Sequence, residues 1–303
     1  MNRRQFIAGV AGGAGFALTA HAQVESPPRP APPVAPAPVR PKVRLKQGLM
    51  RVVFGADSKL TFDDQCREAA RIGFKGFDLI GPQEWPTLAK HGLVPTMAGA
   101  GPVTFQDGLI HTEAHGTLEP VLHEYIDMCA SHGVTNIISV GGQRRGLSEA
   151  EGADHAVAFL NRVKTHLEDK QVTLCIENMN HKYTDANFGR IDQMFAHPHW
   201  GFDICRRVNS PRVKVLFDIY HAQVMAGDLV ANIREHVPWI GHFHTAGVPG
   251  RTDIDGTQEI NYRFVAQAIA DLGFTGYISH EFRPAPGHNP LDCIREAFDI
   301  IDV

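Results

Sequence analysis

Apolar residues recur along this chain in two alternating rhythms. From about Leu45, short apolar runs that read as strands alternate with longer stretches whose apolar positions return every three or four residues, the helical period. Strands are expected at 50–55, 76–80, 94–98, 136–140, 172–178, 213–219, 240–245 and 277–282. Helices are expected at 61–72, 85–91, 115–132, 148–170, 200–208, 228–236, 262–272 and 290–302. Gly73, Gly92, Gly133 and Gly273 stand at helix-to-strand turns, where a left-handed residue ends a helix. Strict alternation of strand and helix over roughly 250 residues argues for the α/β class and a closed parallel (β/α)8 TIM barrel. An open doubly wound sheet is the weaker alternative, because no Gly-x-Gly-x-x-Gly follows the first strand.

Two segments precede this pattern. Residues 1–22 begin with Arg3-Arg4-Gln5-Phe6-Ile7, continue through an apolar stretch rich in Gly and Ala, and end on Ala20-His21-Ala22. That is the order of a secretory signal with a small-residue cleavage site, and the paired arginines give it twin-arginine character. The apolar stretch is short for a bilayer span. Export to the periplasm is expected, with cleavage after Ala22 and no membrane segment on the mature chain. Residues 23–44 carry Pro27, Pro28, Pro32, Pro33 and further prolines to Pro41, a density that blocks helix and sheet and predicts an extended tether. The expected organisation is a signal at 1–22, a proline-rich linker at 23–44 and the barrel at 45–303.

Composition acts mainly by exclusion. With 43% apolar and 20% charged residues the chain is globular in character, and a net charge of −4 offers no basic field for nucleic acid. The five cysteines show no Cys-x-x-Cys spacing and are expected as buried free thiols.

Functional groups of a parallel barrel project from the C-terminal ends of its strands. Four late strands end on metal-binding side chains: Glu177 after Leu174-Cys175-Ile176, Asp218 after Leu216-Phe217, His244 in Gly241-His242-Phe243-His244, and Glu281 after Ile278-Ser279-His280. Any one of these alone reads more readily as a solvated carboxylate or a hydrogen-bonded histidine than as a ligand. Four at one height on consecutive strands point to a shared ion, because a buried ring of carboxylates is costly without a cation. Three carboxylates and one imidazole suit Mn²⁺, Mg²⁺ or Co²⁺ better than a thiolate-type zinc site does. His242 lies a layer deeper than His244 and reads as its support, while His280 alternates away from Glu281 toward the helices.

At these residues the chain resembles the sugar-phosphate isomerase/epimerase superfamily of xylose isomerase-like barrels, most closely its hydroxypyruvate isomerase-like branch. The resemblance is carried by Ile176-Glu177-Asn178, Phe217-Asp218-Ile219-Tyr220-His221 and Ile240-Gly241-His242-Phe243-His244. It continues through Gly247-Val248-Pro249-Gly250-Arg251, Glu259-Ile260-Asn261-Tyr262 and His280-Glu281-Phe282, and covers about residue 45 to the C-terminus. It implies that Glu177, Asp218, His244 and Glu281 hold one divalent ion and that Glu177 and Glu281 are the paired proton-transfer residues. It also implies that His221 and Arg251 hydrogen-bond substrate oxygens. The implied reaction is isomerisation or epimerisation of a small sugar or hydroxy-keto acid through an enediolate. There the ion polarises the carbonyl, one glutamate takes the carbon-bound proton and the other returns one. Homo-oligomers such as dimers or tetramers are implied as well.

Some features depart from that pattern. The second strand ends Phe77-Asp78-Leu79-Ile80, where relatives often carry a Glu or an aromatic residue that contacts substrate. The loop Gly141-Gly142-Gln143-Arg144-Arg145-Gly146 adds two arginines. Arg144 or Arg145 is expected to bind a substrate carboxylate or several hydroxyls, against the plainer reading of two solvated arginines. Export fits poorly with an intracellular metabolite such as hydroxypyruvate and favours a free or oxidised sugar. A metal-dependent lyase acting on keto-sugars or 3-ketoglycosides shares the first proton abstraction and is the main alternative. A non-catalytic periplasmic sugar-binding protein would need no paired carboxylates. A multinuclear nuclease or phosphodiesterase would gather more histidines and a basic groove.

Overall fold

The alternation of strand and helix is realised as a parallel sheet rolled onto itself. The computed structural model describes residues 44–303 apart from Ala100, Pro102, Thr104, Phe105, Tyr183, 186–188 and Ile191. The expected signal at 1–22 and nearly all of the expected linker lie outside the described residues. The elements run β1 (Lys46–Leu49), α1 (Phe62–Ile72), β2 (Gly76–Asp78), α2 (Trp85–Lys90), β3 (Val94–Met97), α3 (Thr112–Ser131) and β4 (Asn136–Val140). They continue with α4 (Glu149–Lys170), β5 (Thr173–Glu177), the short strands β6 (Thr184–Asp185) and β7 (Gly189–Arg190), α5 (Pro198–Val208) and β8 (Val213–Asp218). The chain ends with α6 (Ile219–Met225), α7 (Leu229–His236), β9 (Ile240–Thr245), α8 (Tyr262–Asp271), β10 (Tyr277–His280) and α9 (Pro290–Ile301).

Eight strands pair in the order β3-β2-β1-β10-β9-β8-β5-β4, every pairing parallel, while β6 and β7 form a separate antiparallel pair. The two ends of the sheet meet at Ala98, which donates to Asn136 O (2.8 Å) and accepts from Ile138 N (3.1 Å), so a single bridge closes the barrel. Period-two alternation sorts the side chains. Met97, Ile138, Cys175 and Leu216 pack together inside the barrel, whereas Ile176, Phe217, Phe243 and Ile278 belong to the larger core between sheet and helices. The same alternation turns Glu177 and Asp218, two and two residues beyond Cys175 and Leu216, into the barrel mouth.

Local chemistry fixes the helix starts. Thr61 and Asp64 cap α1 reciprocally, and Ser148 and Glu151 do the same for α4. All five cysteines are free and buried. Among the described residues no helix is long and apolar enough to cross a membrane.

The first strand corrects the expectation for 50–55. β1 lies upstream, pairing Lys46–Leu49 with Tyr277–His280, and Arg51–Phe54 forms a 3-10 turn that buries Val53 and Phe54. A short apolar run satisfies burial in either conformation, so its pattern alone does not choose. Residues 219–225, of which 219 was expected in the strand and the rest carried no expectation, form α6, whose first turn is capped by the Asp218 carboxylate accepting from His221 N at 3.0 Å.

Candidate functional site

β5, β8, β9 and β10 are neighbours in the sheet, and each delivers one polar side chain to the C-terminal mouth. Glu177 closes β5, Asp218 closes β8, His244 stands one residue before the end of β9, and Glu281 directly follows β10. One ligand atom from each lies within 4.8 Å of the others. Glu177 Oε1 and Glu281 Oε2 approach the same imidazole nitrogen, His244 Nδ1, at 3.2 and 2.9 Å. The four residues singled out from the strand ends therefore converge.

The opposite edge of His244 meets a residue that sequence reasoning set aside. Asp78, at the end of β2, places Oδ2 2.9 Å from His244 Nε2 and 2.7 Å from His242 Nε2, and Thr96 donates its hydroxyl to Oδ1. Ser279 Oγ lies 3.2 Å from His242 Nε2. His242 thus belongs to the layer beneath the mouth, as its position in the strand suggested. With Nε2 committed to Asp78, Nδ1 is the nitrogen that His244 turns to the carboxylates. The signal for Asp78 was available in the strand-end rule, since it closes a barrel strand just as Glu177 does.

Electrostatics describe a set of side chains short of positive charge. Burial pushes the Asp218 carboxyl up to about 7 despite Arg251, and burial together with Glu281 raises Glu177. At Glu281 burial also works upward, but Arg251 and His244 outweigh it and hold the carboxyl well below the usual range. Burial likewise opposes the charge on His244, yet Glu281, Asp78 and Glu177 raise its pKa well above that of a free imidazole. A divalent cation among Glu177, Asp218, His244 and Glu281 would relieve this imbalance. The donor set fits one, with three hard carboxylates and an imidazole whose far nitrogen is already held.

Two further residues face the mouth. Asn180 donates Nδ2–H to His221 Nδ1 at 2.6 Å, which leaves the His221 proton on Nε2, and burial keeps the ring neutral. That Nε2 is fully buried, has no hydrogen-bond partner among the described residues and lies 3.5 Å from Asp218 Oδ2. Arg251 pairs with Glu281 Oε1 at 2.5 Å, lies 3.5 Å from Asp218 Oδ2 and stacks over the Tyr220 ring at 5.6 Å. Its backbone holds a left-handed φ of 59°, with its carbonyl accepting from Arg283 N. Asn178 fastens β5 to β8, its side chain exchanging two hydrogen bonds with the Asp218 backbone at 2.9 and 3.1 Å.

The arginine loop is engaged elsewhere. Arg145 reaches Asp107 at 2.9 Å and Glu113 at 3.8 Å, and Arg144 lies 3.6 Å from Glu149 and 3.8 Å from Asp192. No described ion pair links either guanidinium to the four converging residues. His280 faces the helices, its ring held between Thr245 Oγ1 (2.8 Å) and Gln47 Oε1 (3.1 Å). A cleft of about 560 Å³ opens at the other end of the strands, beside Lys46, Asn136, Thr173 and Lys214, and includes none of these side chains.

Comparison with known proteins adds a family. The sequence profile described as xylose isomerase-like TIM barrel matches residues 110–302. A Danio rerio protein named "Putative hydroxypyruvate isomerase" is 31% identical over 160 residues, 52% of this chain and 55% of that protein. A protein named 2-oxo-tetronate isomerase, from Cupriavidus necator, is 38% identical over 87 residues, 29% of this chain and 33% of that one. The matches thus span about half the length of the first relative and about a third of the second. The solved structure of an AP endonuclease, family 2, from Brucella melitensis shares the fold, with a TM-score of 0.70 at 20% identity over 83% of this chain and 96% of that one. The profile spans all four strands that carry Glu177, Asp218, His244 and Glu281, and the sheet closes as a parallel eight-stranded barrel, so the chain belongs to the xylose isomerase-like TIM barrel family.

Proposed function

We propose that this chain is a metal-dependent isomerase or epimerase of a small sugar or α-hydroxycarbonyl compound, transferring protons with Glu177 and Glu281. One observation carries the reading: two glutamates from β5 and β10 reach the same nitrogen of His244 from different strands, with Asp218 between them in the sheet. The isomerase names of the relatives in Danio rerio and Cupriavidus necator agree with it.

A divalent ion of the Mn²⁺, Mg²⁺ or Co²⁺ type, held by Glu177, Asp218, His244 and Glu281, would supply Lewis-acid polarisation of the substrate carbonyl. The remaining steps belong to the side chains. One glutamate accepts the proton on the carbon beside the carbonyl, the C–H electron pair becomes the carbon–carbon double bond, and the carbonyl oxygen gains charge. The other glutamate returns a proton, in epimerisation to the opposite face of the same carbon. In isomerisation it returns the proton to the former carbonyl carbon, while the adjacent hydroxyl proton passes to the former carbonyl oxygen. Either way no oxidant or reductant is consumed. His221 offers a neutral Nε2–H donor to a substrate oxygen, and Arg251 brings fixed positive charge beside Glu281 where that oxygen charge develops.

Export completes the proposal. Residues 1–22 serve as a twin-arginine signal and 23–44 as a tether, which places the barrel in the periplasm. An uncleaved N-terminus on protein recovered from its native host would overturn this part.

The test is hydrogen–deuterium exchange followed by NMR in D₂O with Mn²⁺, across hydroxypyruvate, ketoses and 3-keto-sugars. Expected is metal-dependent exchange at a carbon next to a carbonyl, reduced about 10²–10⁴-fold in Glu177→Gln and in Glu281→Gln. Exchange that survives both substitutions, or none on any compound by metal-loaded protein, would sink the proton-transfer reading.

A further inference from the structure

A second cluster of metal-binding side chains lies apart from the four residues of the mouth. Asp253 comes from the loop after β9, His288 from the loop after β10, and Cys293 from the start of α9. One carboxylate oxygen, one imidazole nitrogen and the thiol sulfur lie within 4.8 Å of one another. Asp253 Oδ2 stands 2.6 Å from His288 Nδ1, and Oδ1 accepts from Ala285 N at 2.6 Å. Asp253 and Cys293 are buried, while the His288 side chain is 45% exposed beside a cleft of about 510 Å³ that Asp57 and Ser58 also line.

From this geometry we propose that Asp253, His288 and Cys293 form a structural site for a zinc-type divalent cation, independent of the ion proposed for the barrel mouth. Oxygen, nitrogen and sulfur donors from three chain segments form a set that zinc accepts and that Mg²⁺ or Mn²⁺ does not favour. In a tetrahedral zinc site neighbouring donor atoms stand roughly 3.3–3.8 Å apart, so the cluster needs only small adjustments to enclose an ion. The fourth position opens through His288 to the cleft, where water completes the shell. Asp255 and Glu296 act on His288 with Asp253, giving the pocket a negative field that draws in a cation.

The protons balance simply. Cys293 carries a thiol pushed up to about 12 by burial and then by Asp253, so binding releases the thiol proton to solvent together with any proton on His288 Nδ1. The consequence reaches the mouth. Arg283 N donates to Arg251 O at 2.9 Å just upstream of this cluster, so an ion there would clamp together the loops that carry Arg251 and Glu281.

Cobalt(II) added to the metal-stripped full chain tests the proposal, because a bound thiolate gives a near-ultraviolet sulfur-to-cobalt charge-transfer band. No thiol is among the mouth residues, and Cys293 is the only cysteine in a metal-binding cluster among the described residues. Wild type is expected to develop the band to saturation at one thiolate-bound cobalt per chain. An Asp218→Asn variant should keep it, Cys293→Ser should lose it, and His288→Ala should weaken binding at least about tenfold. Cobalt uptake without the band, or a band that persists in Cys293→Ser, overturns the proposal. Since His288 is partly exposed, its substitution leaves the test standing even if Cys293→Ser fails to fold, and unchanged affinity in His288→Ala then counts against the site.

Discussion

Asp78 Oδ2 lies 2.9 Å from His244 Nε2, on the far side of the imidazole from Glu177 and Glu281. At Asp78 burial works to raise the carboxyl, but His242 and His244 outweigh it and keep it well below the usual range, so a full negative charge sits behind the ring. That charge fixes which nitrogen faces the mouth and makes it more basic. Asp78→Asn should therefore weaken Mn²⁺ or Co²⁺ binding by about 10–100-fold with the fold retained. Calorimetric titration of the stripped protein reads this directly, and equal affinity in both proteins would remove the positioning role.

Arg144 and Arg145 each spend their charge on partly exposed carboxylates. Exposed pairs of this kind contribute about 0–1 kcal/mol each. The Arg144→Ala/Arg145→Ala double variant is expected to unfold within about 2 kcal/mol of wild type and to keep kcat and KM close to the wild-type values. A large rise in KM at unchanged kcat would instead support the substrate-binding role that the loop sequence suggested.

Gly76 marks a place where two strands leave no room for a side chain. A methyl group there would collide with the Val94 carbonyl oxygen on β3. Gly76→Ala should cost roughly 1–3 kcal/mol, the range for overpacking in a close-packed interior. Its reading is the urea midpoint at unchanged slope, and an unshifted midpoint would mean that β2 and β3 separate freely.

Asp63 joins α1 to the end of α2 through Lys90 at 2.6 Å and His91 at 3.0 Å, and these partners draw its carboxyl down to about 2. An acid whose folded pKa is depressed adds stability above its unfolded pKa, about 4, and that stability is lost as pH falls through the folded value. Wild type should thus be more stable than Asp63→Asn at pH 5–7, with the gap closing between about pH 4 and pH 2. A gap that stays constant over that window would show that the pair does not couple to folding.

Much of the mouth was legible because a parallel barrel converts one-dimensional order into height. The last residue of each strand arrives at the same face, so Glu177, Asp218, His244 and Glu281 could be read without knowing how the strands meet. Strand-end order also reaches Asp78, but that it pairs with His244, 166 residues away, could not be read in that way. Asp78 and His242 are 164 residues apart, and they touch because β10 and β1 lie between their strands in a sheet that curves shut. Closure brings together side chains that no local pattern links.

The same division runs through the rest of the chain. Hydrophobic period and turn residues determined the alternation and the parallel barrel, since these follow from local geometry and from the need to bury one face of each element. The position of β1 was settled by pairing: Lys46–Leu49 finds backbone partners in Tyr277–His280, while Val53 and Phe54 bury themselves equally well in a turn. Tertiary packing also decided that Arg144 and Arg145 pair with Glu149, Asp192, Asp107 and Glu113, and that Asp253, His288 and Cys293 share one point in space. Sequence specifies what each segment buries and where its polar residues emerge. Which polar residues become neighbours is set by register and closure, whose contacts lie far apart along the chain.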